Sequence, residues 1–480
     1  MYPLFLGIDI GTKRIKCTVI DRSGHVRESS QIDIYDLVEN PKPGWFQRDA
    51  LKIWERLKTS LSKLSLLKSV EAVCIDATSG TIIPINSHGS PIYPSLLYND
   101  ERAVEESKEL RKISGRTRDF EKFLPIAPYL VIPKVMWLLK HIGRKKIYRI
   151  LHENDFIVYK LTEEIVTSPN IAGKSHIDFT TKSYIEEIYS DANVPLELMP
   201  RIKPIGAIIG RVTRQASRET GIPENTPVVN GVTDATAGDI ATGIIHPGQA
   251  CLSIGATTTL HAITEKLIPD EKRRFYYKPY LYGRYVAGGA TNAGTTILDA
   301  YSNLFRMSLE ELESLAEKIP PGSEGLLMQP EWTGTRIPRC YPNVKGFIYG
   351  LTEQNCTPGH IYRSALESIS LVTSLLVEIV EEVTQTEISE IRTCGGGSKS
   401  MLLNQIIADS TNKKVLQVKS EASVGSAILA SLPIVGDFKK IIEQIVSVER
   451  VFSPKSENLL LYNTLKRKLT KFVEFLASNF

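Results

Sequence analysis

The six cysteines of this 480-residue chain (Cys17, Cys74, Cys251, Cys340, Cys356, Cys394) include no CxxC pair, and its eight histidines show no HxxxH or similar spacing. That argues against a disulfide scaffold and a zinc site, and it fits a reducing compartment. No apolar run approaches the roughly 18 residues of a membrane span, so no membrane partner is expected. The apolar start, Pro3 to Ile10, has neither a basic leader nor a small-residue cleavage site and reads as a first strand. Charge of one sign is also missing: 58 basic against 54 acidic residues leave +4. The stretches GRKKIYR (143–149) and KLTK (468–471) read as solvated helix faces, so nucleic acid is not an expected partner. Short-period repeats and low-complexity segments are absent. These exclusions leave a soluble, cytoplasmic protein, too long for one core and expected to form two or three domains.

What is present is a Gly-Thr turn written twice. LFLGIDIGTKRIKCTVID carries Asp9, Gly11 and Thr12 at its break, and GQACLSIGATTTLHAIT carries Gly255, Ala256 and Thr257. An apolar run, a tight Gly turn and a second apolar run signal a hairpin. Glycine at the tip lets backbone N–H groups approach an anion, and Thr adds a hydroxyl. Two such hairpins suggest similar halves that hold a nucleotide's phosphates. Asp9 would repel a phosphate unless Mg²⁺ lay between them, and Mg²⁺ uses one or two carboxylates with phosphates and water. The competing reading is an ordinary hairpin with a solvent-facing Asp.

Between the copies, strands cluster and are followed by helices. Residues 4–35 read as a meander with turns at Gly11-Thr12 and Arg22-Ser23-Gly24. Leu51, Trp54, Leu57, Leu61 and Leu64 recur at helical spacing behind Asp49, a candidate N-cap. Further helices are expected at 101–115, 129–142, 360–383 and 401–412, followed by a terminal helical region. Pro247-Gly248 places a domain boundary between 1–246 and 247–480. The class is α/β with a duplicated core.

NGVTDATAG (230–238) sets Asp234 after a strand-like run amid small residues that leave room for a substrate. Such a carboxylate could act as general base, a contribution of about 10² to 10⁴ in rate. The alternative is an N-cap, since Asp before an Ala-rich helix caps well. Asp239 is a rival expected within that helix. GGATNAG (288–294) and CGGGSKS (394–400) are read as strand-to-helix glycine turns where an adenosine could lie against backbone, or simply as loops. Neither has the spacing of a dinucleotide fingerprint.

Together these residues resemble the FGGY family of carbohydrate kinases, within the sugar kinase, Hsp70 and actin superfamily. The resemblance runs from Gly7 to about Ala430. GFIYGLTEQNCTPGHIYRSALE (346–367) meets every constrained position of one family signature, including Gly350, His360 and Glu367. YLVIPKVMWLLKH (129–141) carries the second with Lys134 and Trp137, Val131 being a mild departure. PGWFQRDA, YNDERA, ENDFIVYKLT and GGGSKS also match.

The resemblance implies two RNase-H-like domains flanking a deep cleft, with sugar held mainly by the first (1–246) and ATP by the second (247–480). It implies Asp234 as the base that deprotonates the attacking sugar hydroxyl, and Asp9 as the carboxylate that orients Mg²⁺ through water. Gly11, Thr12 and Lys13 match the first phosphate loop, and Gly255, Ala256 and Thr257 the second. Gly288, Gly289, Gly395, Gly396, Gly397 and Asn404 match positions around the adenosine. Lys13 and Arg14 replace small hydroxyl residues, which raises a cation–phosphate contact by Lys13. Ala256 replaces a common Thr and moves hydroxyl donation onto Thr257 or Thr258.

The turn in CIDATSGT (74–81) occupies the position that decides sugar identity in the family. Thr78-Ser79 stand where glycerol kinases carry Arg-Glu, which disfavours glycerol. With Tyr98-Asn99-Asp100 the segment looks more like the ribulose and xylulose branches. Short hydroxyls and a carboxylate suit a polyol, because each sugar OH donates and accepts. Plain turn chemistry is the competing reading of Thr78 and Ser79. Expected sugar contacts are Thr78, Ser79, Asp100, Tyr129 and Asp234; Arg102 is expected to form a structural ion pair. The expected activity is ATP- and Mg²⁺-dependent phosphorylation of D-ribulose or D-xylulose at the 5-position, or of another ketose or polyol. A non-catalytic, nucleotide-regulated binding protein on this scaffold would lack Asp234 or Asp9, and both are present. For assembly, a homodimer is the only expectation.

Overall fold

The computed structural model describes residues 3–113, 115–124, 126–436, 441–442 and 445–479. The chain divides into two compact units. The first comprises Met1–Gly243, Lys278–Gly283 and Ser420–Val446; the second comprises Ile244–Tyr277, Arg284–Lys419 and Ser447–Phe480.

In the first unit, β1 (Leu4–Ile10), β2 (Arg14–Asp21) and β3 (Val26–Asp33) form the expected meander. Asp49 caps α1 (Ala50–Leu61), its carboxylate accepting from the N–H groups of Leu51 and Lys52. Ile53, Trp54, Leu57 and Leu61 go into the core, whereas Leu51 faces solvent and does not belong to the apolar stripe. Then come β4 (Val70–Ala77), α2 (Val131–Ile142) and α3 (Glu153–Thr162). They are followed by β5 (Ile208–Arg211), β6 (Pro227–Val229) and α4 (Asp234–Thr242). The helix expected at 101–115 spans Val104–Ile113; Ser114 lies outside the described residues. The sheet order is β5-β6-β4-β1-β2-β3, with β1, β4 and β6 parallel.

The second unit contains β7 (Gln249–Ile254), β8 (Thr258–Thr264), the first two residues of β9 (Tyr276–Pro279) and β10 (Tyr285–Thr291). Beyond them lie α5 (Thr295–Phe305), α6 (Pro358–Thr384), β11 (Glu390–Cys394), α7 (Met401–Thr411) and β12 (Lys414–Val418). The chain closes with β13 (Val448–Phe452) and α8 (Ser456–Asn479). Its sheet order is β9-β10-β8-β7-β11-β12-β13. The duplication is visible in these orders. β3-β2-β1-β4-β6 and β10-β8-β7-β11-β12 are each three antiparallel strands followed by two parallel ones.

The chain is not divided by one cut at 246/247. The helix Ala422–Val435 returns to the first unit because it is built from small residues. A Cβ at Gly7 of β1 would overlap the backbone at Ser423 and Ala427, and one at Gly425 would overlap the Ala237 carbonyl of α4. Only glycine allows backbones this close. Thr18 and Ser423 hydroxyls meet at 2.8 Å on the same face.

In the second unit the 346–367 signature is structural. The buried Glu367 carboxylate accepts from Gly322 N–H and the Ser323 hydroxyl, both at 2.8 Å, and from Arg363 Nε at 3.1 Å. Gly350 has φ +89°, and a Cβ there would overlap the Gly325 carbonyl. These contacts pin the start of α6 to the 322–325 loop.

Candidate functional site

Asp9, near the end of β1, stands opposite Asp76 in the parallel register with β4. Asp234 opens α4 just after β6, and an Ala77–Thr233 bridge continues the parallel pairing to its threshold. All three carboxylates therefore gather at the carboxyl ends of parallel strands, where open α/β sheets bind ligands. Asp76 was missed by the sequence reading. The available signal is an Ile-Asp pair repeated in GIDI (7–10) and CIDA (74–77), which parallel pairing brings side by side.

Burial and the Asp234 charge push Asp9 up to about 7. Burial, with Asp9 beside it, holds Asp76 well above the carboxylate range, although the Ser426 hydroxyl donates to Asp76. Asp9 Oδ1 and Asp76 Oδ1 are buried with no hydrogen-bond partner. A hard cation suits such oxygens.

Asp234 occupies the first turn of α4, one residue past the N-cap position held by Thr233. Burial raises it, while the Ala235 N–H at 2.7 Å and the charges of Lys278 and Lys174 favour its ionised form. Asp239 lies within α4, as expected. The helix start is clamped by Asn170, which the sequence did not single out. Its Oδ1 accepts from Thr233 N–H at 2.9 Å, and its Nδ2 donates to Thr236 Oγ1 at 3.1 Å and the Pro279 carbonyl at 2.8 Å.

The 78–81 turn is held from two sides. Lys134 Nζ, fully buried, donates to the carbonyls of Gly80 at 3.0 Å and Leu97 at 2.6 Å. Lys174 Nζ donates to the Ser79 carbonyl at 3.0 Å and lies 5.4 Å from the ring centroid of Tyr129. Burial and Lys278 pull Lys174 down to about 8. Gly80 at φ +86° provides the turn. Thr78, Ser79, Tyr129 and Lys174 are thus brought together, with Lys174 close enough for its charge to act on Asp234.

Asp100 is not part of this group. It is fully buried, its carboxylate taken by Arg102 Nε at 2.8 Å, Arg102 Nη2 at 2.9 Å and Phe46 N–H at 2.6 Å. The expectation that it contacts sugar is corrected: it is the partner of the structural Arg102, which packs over Trp45 at 4.2 Å.

The first Gly-Thr turn is a tight hairpin closed by Gly11 N–H to the Arg14 carbonyl at 3.0 Å. Gly11 and Thr12 are half-buried. Lys13 is exposed, its Nζ 5.9 Å from the Tyr35 ring, and Arg14 pairs with Asp33 at 3.0 Å.

In the second unit, Thr295 N–H donates to the Gly255 carbonyl at 2.7 Å, which docks the second hairpin on the start of α5. Gly395 and Gly397 pack against Ile254 at the foot of that hairpin, and Gly397 also against Thr295; Gly396 has open space at its Cα. Gly255 is half-buried, Ala256 and Thr257 are exposed, and Thr258 is buried with an unpartnered hydroxyl. Two glycines differ from expectation. Gly288 and Gly289 lie inside β10, paired with His261 and Leu260, and are enclosed by protein rather than forming a turn. The strand-to-helix turn comes later, at Asn292–Gly294. Asn404 is fully buried, donating to the Ser398 and Ser400 carbonyls at 2.7 Å and accepting from Thr393 at 2.6 Å. Its expected place beside the adenosine is corrected: it braces the 395–400 turn from within.

Comparison with known proteins gives the family. The N-terminal domain of the FGGY family of carbohydrate kinases matches residues 4–241, and its C-terminal domain matches residues 250–433. The chain belongs to the FGGY family of carbohydrate kinases and is an ATP-dependent sugar phosphotransferase. It is 26% identical to a xylulose kinase of Staphylococcus epidermidis over 474 residues, covering 95% of this chain and 94% of that protein. It is 25% identical to an autoinducer-2 kinase of Escherichia coli, covering 96% and 92% respectively. It shares the fold of a xylulose kinase from Rhodospirillum rubrum with a TM-score of 0.90, at 23% identity and over 98% and 99% of the two chains.

Proposed function

We propose that the protein transfers the γ-phosphoryl group of ATP to the primary hydroxyl of a ketopentose, making the 5-phosphate of D-xylulose or D-ribulose. The observation carrying this reading is Asp234, a half-buried carboxylate at a helix start, beside a turn of short hydroxyl residues that suits a polyol. The full-length likeness to xylulose kinases favours pentuloses over other acceptors.

In this reading Asp234 takes the proton from the substrate hydroxyl as its oxygen bonds to the γ-phosphorus. The bond to the β-phosphate oxygen breaks, and ADP leaves with that electron pair. Its raised pKa makes it a better base than an exposed aspartate, while Lys174 and Lys278 keep it ionised. Thr78 and Ser79 contact the sugar chain and Tyr129 borders it; in the first unit the N–H groups of Thr12 and Lys13, and in the second those of Ala256 and Thr257, are each offered to phosphate oxygens. Asp9, with its unpartnered oxygen, would hold Mg²⁺ through water, with Asp76 behind it. When bound, the ion neutralises phosphate charge; the protein's own contribution is positioning.

The test offers Mg-ATP with D-xylulose, D-ribulose, other ketoses, gluconate, glycerol and autoinducer-2, and measures ADP release. A pentulose is expected to give the highest kcat/KM; a different acceptor in first place would overturn the substrate assignment. Asp234→Ala should still bind ATP and lose at least about 10²-fold in kcat. Near-wild-type turnover would remove Asp234 as base.

A further inference from the structure

Arg48 and Glu153 form a buried ion pair that the transfer chemistry leaves unused. Their side chains are 1% and 2% exposed. Glu153 divides its carboxylate: Oε1 accepts from Arg48 Nε at 2.9 Å, and Oε2 accepts from Thr78 Oγ1 at 3.2 Å. Arg48 uses Nη1 on the Gly11 carbonyl at 3.3 Å. Glu153 N–H donates to the Thr81 carbonyl at 3.2 Å, and the Thr78 and Thr81 hydroxyls meet at 2.8 Å. A continuous polar chain therefore joins the phosphate hairpin at Gly11 to the turn at Thr78.

Stability alone is a poor reason for such a pair, because burying two charges costs about what their attraction returns. Its distinctive effect is directional. A carboxylate only accepts, so the single hydroxyl hydrogen of Thr78 is committed to Glu153. The Thr78–Thr81 contact must then be donated by Thr81, and Thr78 keeps one lone pair. Toward a ligand it is an acceptor only, suited to a hydroxyl and unsuited to a keto oxygen.

We propose that Arg48 and Glu153 are positioning residues that hold the sugar turn in register with the phosphate hairpin and orient Thr78 to accept from a substrate hydroxyl. This rests on the kinase reading of the 74–81 turn.

The test uses the full-length protein with Glu153→Gln, Arg48→Lys, Thr78→Val and Thr78→Ser, and the Glu153→Gln/Thr78→Val double variant. Glu153→Gln and Thr78→Val should each raise the sugar KM about tenfold, in line with loss of a hydrogen bond to a charged group, while the ATP KM moves much less. Thr78→Ser should restore the KM, and the double variant should be no worse than Thr78→Val, since both act through one contact. A lowered melting temperature with unchanged sugar KM, or multiplicative effects in the double variant, would overturn the proposal. Hydrogen exchange without substrate provides a separate readout. Glu153→Gln and Arg48→Lys should loosen both residues 9–16 and 76–82, and loosening confined to one segment would also overturn it. If the wild type phosphorylates no offered sugar, the substrate reading fails, while the exchange measurement still decides the coupling.

Discussion

Asp9 and Asp76 face each other across the parallel register of two neighbouring strands, and each keeps one buried oxygen that no donor reaches. Burial is the main reason both are held above the ordinary range, with the Asp234 charge adding to it for Asp9 and the Asp9 charge for Asp76. Their native pKa values exceed the unfolded ones. The stability they contribute is therefore complete below about pH 4 and is lost as pH rises, through about 7 for Asp9. With divalent cations chelated, the wild type should melt lower at pH 8 than at pH 5.5. Asp76→Asn should reduce that fall and melt a few degrees higher at pH 8, about 2–5 °C. An equal fall in both proteins, followed by scanning fluorimetry, would remove the buried Asp76 carboxyl as the cause.

Lys174 helps to keep Asp234 ionised. Removing a positive charge raises the pKa of a nearby carboxylate, so Lys174→Met should move the acidic limb of the kcat/KM profile to higher pH. The profile of the best acceptor, measured from pH 5 to 9, checks this. An unshifted limb would separate Lys174 from the base.

Asp100 is assigned to structure by its burial and its four donors, Phe46 N–H and the N–H, Nε and Nη2 of Arg102. Asp100→Asn leaves the Arg102 guanidinium buried without its counter-charge, a loss of about 3–5 kcal/mol. Chemical denaturation should show that loss, while the sugar KM of the folded fraction stays near wild type. A large KM change without destabilisation would return Asp100 to the sugar site.

Gly425 sits against the Ala237 carbonyl at the helix that carries Asp234. Gly425→Ala forces the returning helix away from α4, and such overpacking costs at least about 1–3 kcal/mol. Lower thermal stability and lower kcat should appear together. An alanine variant with unchanged melting and turnover would contradict the close approach.

Asn404 supports the 395–400 turn through the Ser398 and Ser400 carbonyls. Asn404→Ala should raise the ATP KM several-fold, with little change in sugar KM, because the turn it braces belongs to the nucleotide half in the proposed reading. A change in sugar KM alone would contradict that division.

Local chemistry determined much of this protein from sequence alone. The two Gly-Thr hairpins, the Asp49 cap, the duplicated strand clusters and Asp234 before a helix all follow from periodicity, turn residues and capping, which act over a few neighbours. Tertiary structure decided what depends on long-range pairing. Only strand register sets Asp76 against Asp9, and only packing of small residues returns Ala422–Val435 to the first unit. Burial turned Asp100 and Asn404 from candidate ligands into braces, because a polar side chain's role depends on which partners claim its hydrogen bonds. For Asp100 they are Arg102, two residues on, and Phe46, 54 residues back. For Asn404 they are Thr393, Ser398 and Ser400, within 11 residues, and only the folded packing shows that these groups, not a ligand, claim those hydrogen bonds.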